Sequence, residues 1–266
     1  NHNHAELDEV LLAFGKAVVA NKGKMLTTAW QEALNGILDA YFGPVPQTFT
    51  YKGRQHNPMS FYQSLGLNVD DYVSITSFTH HPFYTEFAIE IPDNWAWGLS
   101  YNVPLDEFMS ILESAVNNGY SASWGADVSE KGFVWNKGFA VVPEENVESL
   151  EGTEQARWVA MTPAQRQAAI YSFDKPVKEK TINQDMRQLG FDNYETTDDH
   201  GMIINGISTD QNGNKYYRVK NSWGVGNHIY GGYLYASLPF VAYKSINYTI
   251  HKDAVPAALK SKLGIR

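Results

Sequence analysis

Asp198-Asp199-His200-Gly201-Met202-Ile203-Ile204-Asn205-Gly206-Ile207 and Tyr217-Arg218-Val219-Lys220-Asn221-Ser222-Trp223-Gly224 are the two stretches on which the fold turns. Each is an apolar run bounded by turn formers, the pattern of a strand. Asp210-Gln211-Asn212-Gly213-Asn214 lies between them and reads as a turn. Strands over 201–208 and 215–221 therefore form a hairpin, and that hairpin brings His200, at the mouth of the first strand, to Asn221, at the end of the second.

Outward from this hairpin the C-terminal part continues in strands, with Gly232 to Ala236 and Ile246 to His251. The N-terminal part is helical. Leu7, Val10, Leu11, Phe14 and Val18 recur at helical spacing, and a second set, Trp30, Leu34, Ile37, Leu38 and Tyr41, runs to the stop at Gly43-Pro44. Residues 44–70 are rich in proline and glycine and read as loop, with 44–60 as the candidate linker. A strand at Tyr72 to Phe78 is broken by Thr79-His80-His81-Pro82. A third helix follows Pro104, with Asp106 and Glu107 near its positive end and Phe108, Ile111, Leu112 and Ala115 as its stripe. Gly119 ends it, and Tyr120 to Gly125 reads as a buried strand. A fourth helix starts with Thr162 as cap, Pro163 first and Gln165 in capping-box position, and a fifth spans about Ile182 to Leu189. Helices first and antiparallel sheet last make an α+β fold rather than alternating βαβ units. The expected division is a helical region over 1–70 and a β-rich domain over 71–266.

Composition narrows the function. With 266 residues, 43% hydrophobic, the chain can bury a substantial core. A net charge of -8 leaves no basic surplus for a phosphate backbone, so nucleic acid is not an expected partner. No apolar run of about 18 residues is present, so no membrane span is expected. The chain holds no cysteine, which excludes disulfides and thiolate metal sites within it and leaves the compartment open. It opens on Asn1-His2-Asn3-His4 without an initiator methionine and reads as a piece of something longer.

The strand-leading His200, the Asn221-Ser222-Trp223-Gly224 stretch and the following Gly232-Tyr233 strand resemble the papain superfamily of cysteine peptidases. The helix from Asp106 running into Gly119-Tyr120-Ser121-Ala122-Ser123-Trp124-Gly125-Ala126-Asp127-Val128 is similar to the bleomycin hydrolase and aminopeptidase C branch. The resemblance implies a papain-like architecture, a helical part followed by an antiparallel, barrel-like β-domain. It implies peptide-bond hydrolysis without a cofactor, with His200 as general base and then acid, Asn221 as its orienter and Trp223 as a shield over their contact. The chemistry fits those residue types: a cysteine attacks only as thiolate, so an imidazole must take its proton and later return it to the leaving amine. An amide oxygen accepting from one ring N–H fixes the tautomer.

In that family a cysteine opens a long helix near the N-terminus, after a glutamine that donates to the oxyanion. Neither has a counterpart here, and Ser123-Trp124 falls in a strand. The expected partner is therefore an N-terminal light chain carrying nucleophile and glutamine, in a proteolytically cut enzyme. The alternative is a catalytically silent, papain-like peptide-binding protein. The resemblance further implies a hexamer, a cytoplasmic location (periplasmic or secreted being the alternatives) and a C-terminus that enters the cleft to meet a substrate's free amine. A terminal Arg266 opposes that last role by repelling an ammonium, and residues 256–263 read equally as a short surface helix.

Other features have plainer readings. The histidines of Asn1-His2-Asn3-His4 make a poor metal site on a terminus. His80-His81 read as a polar turn beside Pro82. Trp95, Trp97, Trp124, Trp135 and Trp158 share no face and read as core packing. Glu144, Glu145, Glu148, Glu151 and Glu154 form a solvated acidic stretch.

Overall fold

Helix α1 (His4–Val19) begins where the Asn3 side chain accepts the Glu6 N–H, filling one of the donors a helix start leaves unpaired. Helix α2 (Ala29–Phe42) ends at Gly43, which takes φ +83. The two are tied by the Tyr41 hydroxyl, which donates to Glu6 over 2.7 Å. The computed structural model describes residues 3–23, 25–144, 158–173, 176–226 and 228–266. The chain falls into two compact units, Asn1–Asn68 and Val69–Arg266.

The first unit is more than helical. Strands β1 (Phe49–Tyr51) and β2 (Arg54–His56) pair through a turn in which Lys52 and Gly53 both take positive φ, +47 and +76, as a two-residue hairpin loop requires. Helix α3 (Pro58–Ser64) follows, started by a capping box between Asn57 and Ser60. Its Phe61 meets Phe49, Tyr51 and His56 edge-on. The reading of 44–70 as loop is thus corrected: three-residue strands are too short for alternation to show against the surrounding prolines and glycines.

In the second unit ten strands form one sheet. Its order is β4 (Glu86–Ala88), β5 (Leu99–Asn102), β3 (Tyr72–Thr76), β12 (Ser245–His251), β6 (Ala122–Ala126), β9 (His200–Thr209), β10 (Lys215–Lys220), β11 (Tyr233–Ser237), β8 (Phe139–Ala140) and β7 (Phe133–Val134). The pairs β3 with β5 and β11 with β8 are parallel, and the others antiparallel. The α+β class stands as expected, but the barrel-like closure does not. Among the described residues β4 and β7 are unjoined ends, so the sheet is open. The β9–β10 hairpin is closed by Asp210, whose carboxylate accepts the Asn212 and Asn214 N–H groups at 2.8 Å each.

Helix α4 (Leu105–Asn117) supplies the expected stripe: Phe108, Ile111, Leu112 and Ala115 are completely buried, and Gly119 follows at φ +84. They share one core with Trp124, Met202, Ile204, Tyr217, Val219, Leu234 and Tyr248. Burying each large side chain of this kind contributes roughly 1.5–3 kcal/mol. Helix α5 (Pro163–Ile170) shows the capping box read from Thr162 and Gln165. Helix α6 (Gln184–Asp192) starts two residues later than expected because Asn183, accepting from Met186 N–H, is the cap. Helix α7 (Leu238–Lys244) was not anticipated, although Ser237 as cap and Pro239 in the first turn carry its signature.

Arg187 on α6 is wholly buried between the rings of Phe78 and Phe108. It donates to the carbonyls of Ser77 at 2.7 Å and Ala242 at 3.0 Å, joining α6 to the end of β3 and to α7. Helix α8 (Ala257–Leu263) buries Leu259 and Leu263, followed by Ile265, in the main core, and Lys262 pairs with Glu107 at 2.9 Å. Core packing accounts for Trp124 but not for Trp95 and Trp97, which are 83% and 69% exposed. Nothing in their spacing separates a buried tryptophan from one carried on a surface loop.

Candidate active site

His200 opens β9 opposite Ala126 of β6, and Asn221 follows the last residue of β10. The backbone N–H of Asn221 donates to Gly232, at the entrance to β11. The hairpin thus delivers both side chains to one end of the sheet, with His200 Nε2 2.8 Å from Asn221 Oδ1. The same oxygen accepts the Ser222 N–H at 2.7 Å. A backbone N–H can only donate, so the oxygen of the Asn221 amide faces both groups and His200 must carry its proton on Nε2. In the neutral ring Nδ1 is then an unprotonated acceptor, and it has no hydrogen-bond partner among the described residues. Asn221 is 2% exposed, so water has little access to the contact.

Trp223 lies beside the pair, its ring 4.9 Å from that of His200. It meets Trp135 at 5.4 Å and Phe133 at 5.8 Å, both edge-on. Trp135 in turn stacks on His228 at 3.8 Å. His228 was overlooked in the sequence. Its Nε2 donates to the Trp135 carbonyl at 2.8 Å, while Nδ1 accepts the N–H groups of Tyr230 and Gly232, each at 3.2 Å. One imidazole thereby ties the segment after Trp223 to the aromatic wall. Gly232 is required there: at φ +82 a Cβ would stand 2.7 Å from the Gly224 carbonyl.

The residues before His200 are anchored by acids. Asp199 accepts from the Val128 and Ser129 N–H groups, from the Ser129 hydroxyl and from Thr197 Oγ1. These bonds hold its carboxyl down at about 2 despite some burial. Asp127, the acid of the Gly-x-Asp-Val stretch, accepts the Thr197 N–H, and burial together with its bond to Asp199 pushes it up to about 7. Beneath them buried Lys244 reaches Glu130 at 2.5 Å and Asp127 at 3.9 Å. This network fixes the turn leading into β9, and with it the position of His200.

A cavity of about 310 Å³ opens against His200, lined also by Asp93, Gly125, Asp198, Asn247 and Thr249. Burial, aided by Asp93 and Asp199, raises the Asp198 carboxyl to about 6. Gly125 is needed in this wall because a Cβ would lie 2.7 Å from Asn247 Oδ1. None of residues 252–266 lines the cavity. Ser123-Trp124 lies within β6, as expected, with the Trp124 indole buried and donating to Ser245 at 2.7 Å.

Of the remaining candidates, His4 stands near Asp8 on exposed α1, and His2 lies outside the described residues. Glu144 pairs with Lys178 at 2.8 Å, whereas Glu145, Glu148, Glu151 and Glu154 lie outside the described residues. No described helix is long and apolar enough to cross a membrane.

Comparison with known proteins agrees with the resemblance read from the sequence. Residues 151–264, which include His200, Asn221 and Trp223, match the Peptidase C1-like family. The fold is similar to the crystal structure of PepW from Lactobacillus rhamnosis HN001 (DR20), with a TM-score of 0.63 and 19% identity. That similarity covers 99% of this chain and 60% of the PepW chain, so the chain spans less than two thirds of its neighbour's length. No curated protein matches the sequence.

Proposed function

We propose that this chain is the proton-transfer half of a cysteine-type peptidase, with His200 as general base and acid, Asn221 as its orienter and Trp223 as their cover. The nucleophilic cysteine and an oxyanion-binding glutamine come from a separate N-terminal light chain. The observation that carries this reading is the single hydrogen-bonded arrangement in which Asn221 holds Nε2–H and leaves Nδ1 free.

The chemistry follows from that arrangement. Nδ1 takes the proton of a thiol brought beside it, and the thiolate attacks the carbonyl carbon of a peptide bond. Collapse of the adduct breaks the C–N bond while Nδ1–H passes its proton to the departing amine, leaving a thioester. Water then attacks the thioester, giving its proton to Nδ1, and the thiolate leaves. At each stage the imidazolium is stabilised by the Asn221 oxygen without a change of tautomer. The resemblance to the aminopeptidase C branch supports a hexamer and a peptide substrate.

The test is denaturing intact mass spectrometry of native material, with and without a thiol-reactive covalent probe. A second, smaller chain that copurifies and carries the probe supports the two-chain peptidase. An unlabelled, inactive 29.9 kDa species alone would overturn it, leaving a fragment or a catalytically silent, papain-like peptide-binding relative.

A further inference from the structure

The turn after β3 sets His80 and His81 side by side, their rings 4.8 Å apart. Each imidazole is held by an aromatic neighbour. His80 lies parallel to Phe191 within 11°, and His81 stacks on Phe87 at 4.2 Å. Held this way, both rings direct Nε2 at one carboxylate from the chain beyond β4. His80 Nε2 lies 3.2 Å from one oxygen of Glu90, and His81 Nε2 lies 2.9 Å from the other. The sequence reading of His80-His81 as a polar turn accounted for neither Glu90 nor this convergence, because the strand β4 that carries the chain back was not foreseen.

We propose that His80, His81 and Glu90 form a binding site for a divalent transition-metal ion of the zinc class, clamping the turn after β3 to the chain after β4. Their three donor atoms lie within 4.8 Å of one another. Bonds of about 2.0–2.2 Å to one tetrahedral ion place donors about 3.3 Å apart, close to the 3.2 and 2.9 Å that separate the two imidazoles from Glu90. Two imidazoles and one carboxylate match the donor preference of zinc, and the carboxylate offsets half of the ion's charge. The side chains are 28%, 34% and 51% exposed, which leaves a side open for water as fourth ligand.

A metal on Nε2 needs the other nitrogen of the ring to carry the proton. His80 meets this by changing partners: at present it accepts at Nδ1 from the Gln188 amide nitrogen, whose oxygen holds the Thr79 N–H, and on binding the ion it turns donor toward that oxygen as Gln188 adjusts. His80 Nδ1 lies 3.0 Å from the amide nitrogen of Gln188 and 3.5 Å from the amide oxygen. Gln188 is itself fixed by donating to Asp192 at 2.7 Å. Direct hydrogen bonds from the imidazoles to Glu90 are the metal-free state of the same geometry; on binding, a neutral ring moves its proton from Nε2 to Nδ1, and an imidazolium releases one proton.

Isothermal titration calorimetry of the whole chain with zinc chloride, paired with the visible absorption of bound Co²⁺, tests the site. His81→Phe keeps the ring contact with Phe87 but has no donor, and Glu90→Gln keeps the shape but not the charge. His4→Ala controls for the N-terminal histidines. We expect one ion per chain, lost in His81→Phe and Glu90→Gln at unchanged circular dichroism, and kept in His4→Ala. No binding by the parent chain, or equal binding by His81→Phe, overturns the proposal. Neither result depends on whether the chain takes part in peptide hydrolysis.

Discussion

Ser222 decides where the proton of His200 sits without touching the ring. Its backbone N–H occupies the Asn221 side-chain oxygen at 2.7 Å, which prevents the amide from turning over, and the fixed oxygen then demands Nε2–H from His200 at 2.8 Å. Nitrogen-15 NMR of the imidazole should show the Nε2–H tautomer in the parent chain. Asn221→Ala should return a mixture weighted toward free-histidine behaviour, and an unchanged spectrum would remove the orienting role from Asn221. The experiment needs no cysteine.

Trp223 is half exposed yet touches His200, Trp135 and Phe133. In native, active material Trp223→Ala should lower turnover by roughly tenfold, about 1.4 kcal/mol of transition-state stabilisation, without abolishing it. Steady-state kinetics on a peptide substrate checks this, and full activity would remove the covering role.

Asp198 and Asp199 should act on stability in opposite directions. Asp198 is raised in the fold to about 6, so its favourable contribution is complete below the ordinary value of 3.8 and is lost as pH rises through 6. Asp199 is lowered to about 2, so its contribution is present above 3.8 and lost as pH falls through 2. Asp198→Asn should therefore stabilise the chain at pH 8 by about 1 kcal/mol, partial solvent access screening the rest, and have little effect at pH 4. Urea unfolding at the two pH values measures the difference; an equal effect at both would point to packing instead of charge.

Arg187 has no carboxylate partner among the described residues and is satisfied by main-chain carbonyls and two aromatic faces. Arg187→Ala should cost about 3–5 kcal/mol by leaving those carbonyls unpaired around a void. Arg187→Met, which refills the volume, should recover part of the loss. Equal losses in chemical denaturation would mean that hydrogen bonding outweighs packing.

The His200 and Asn221 pair was legible because a hairpin with a recognisable turn joins its members, so local chain geometry does the assembling. The acids that fix the turn before His200 were less so. Asp127 and Asp199 meet only because β6 and β9 are neighbours, and no local pattern announces that register. His80, His81 and Glu90 failed to register for the same reason, since β4 is three residues long. His228 looked unremarkable because its hydrogen bonds all go to main-chain groups, which no side-chain pattern announces. The buried Trp124 and the exposed Trp95 differ in tertiary surroundings rather than in sequence pattern.

The hairpin between His200 and Asn221 has a consequence for assembly. A pair separated by one turn forms with little loop-closure entropy and does not wait for distant segments. If the thiol arrives on another polypeptide, it meets an acceptor already aimed, and little ordering is required when the two halves join.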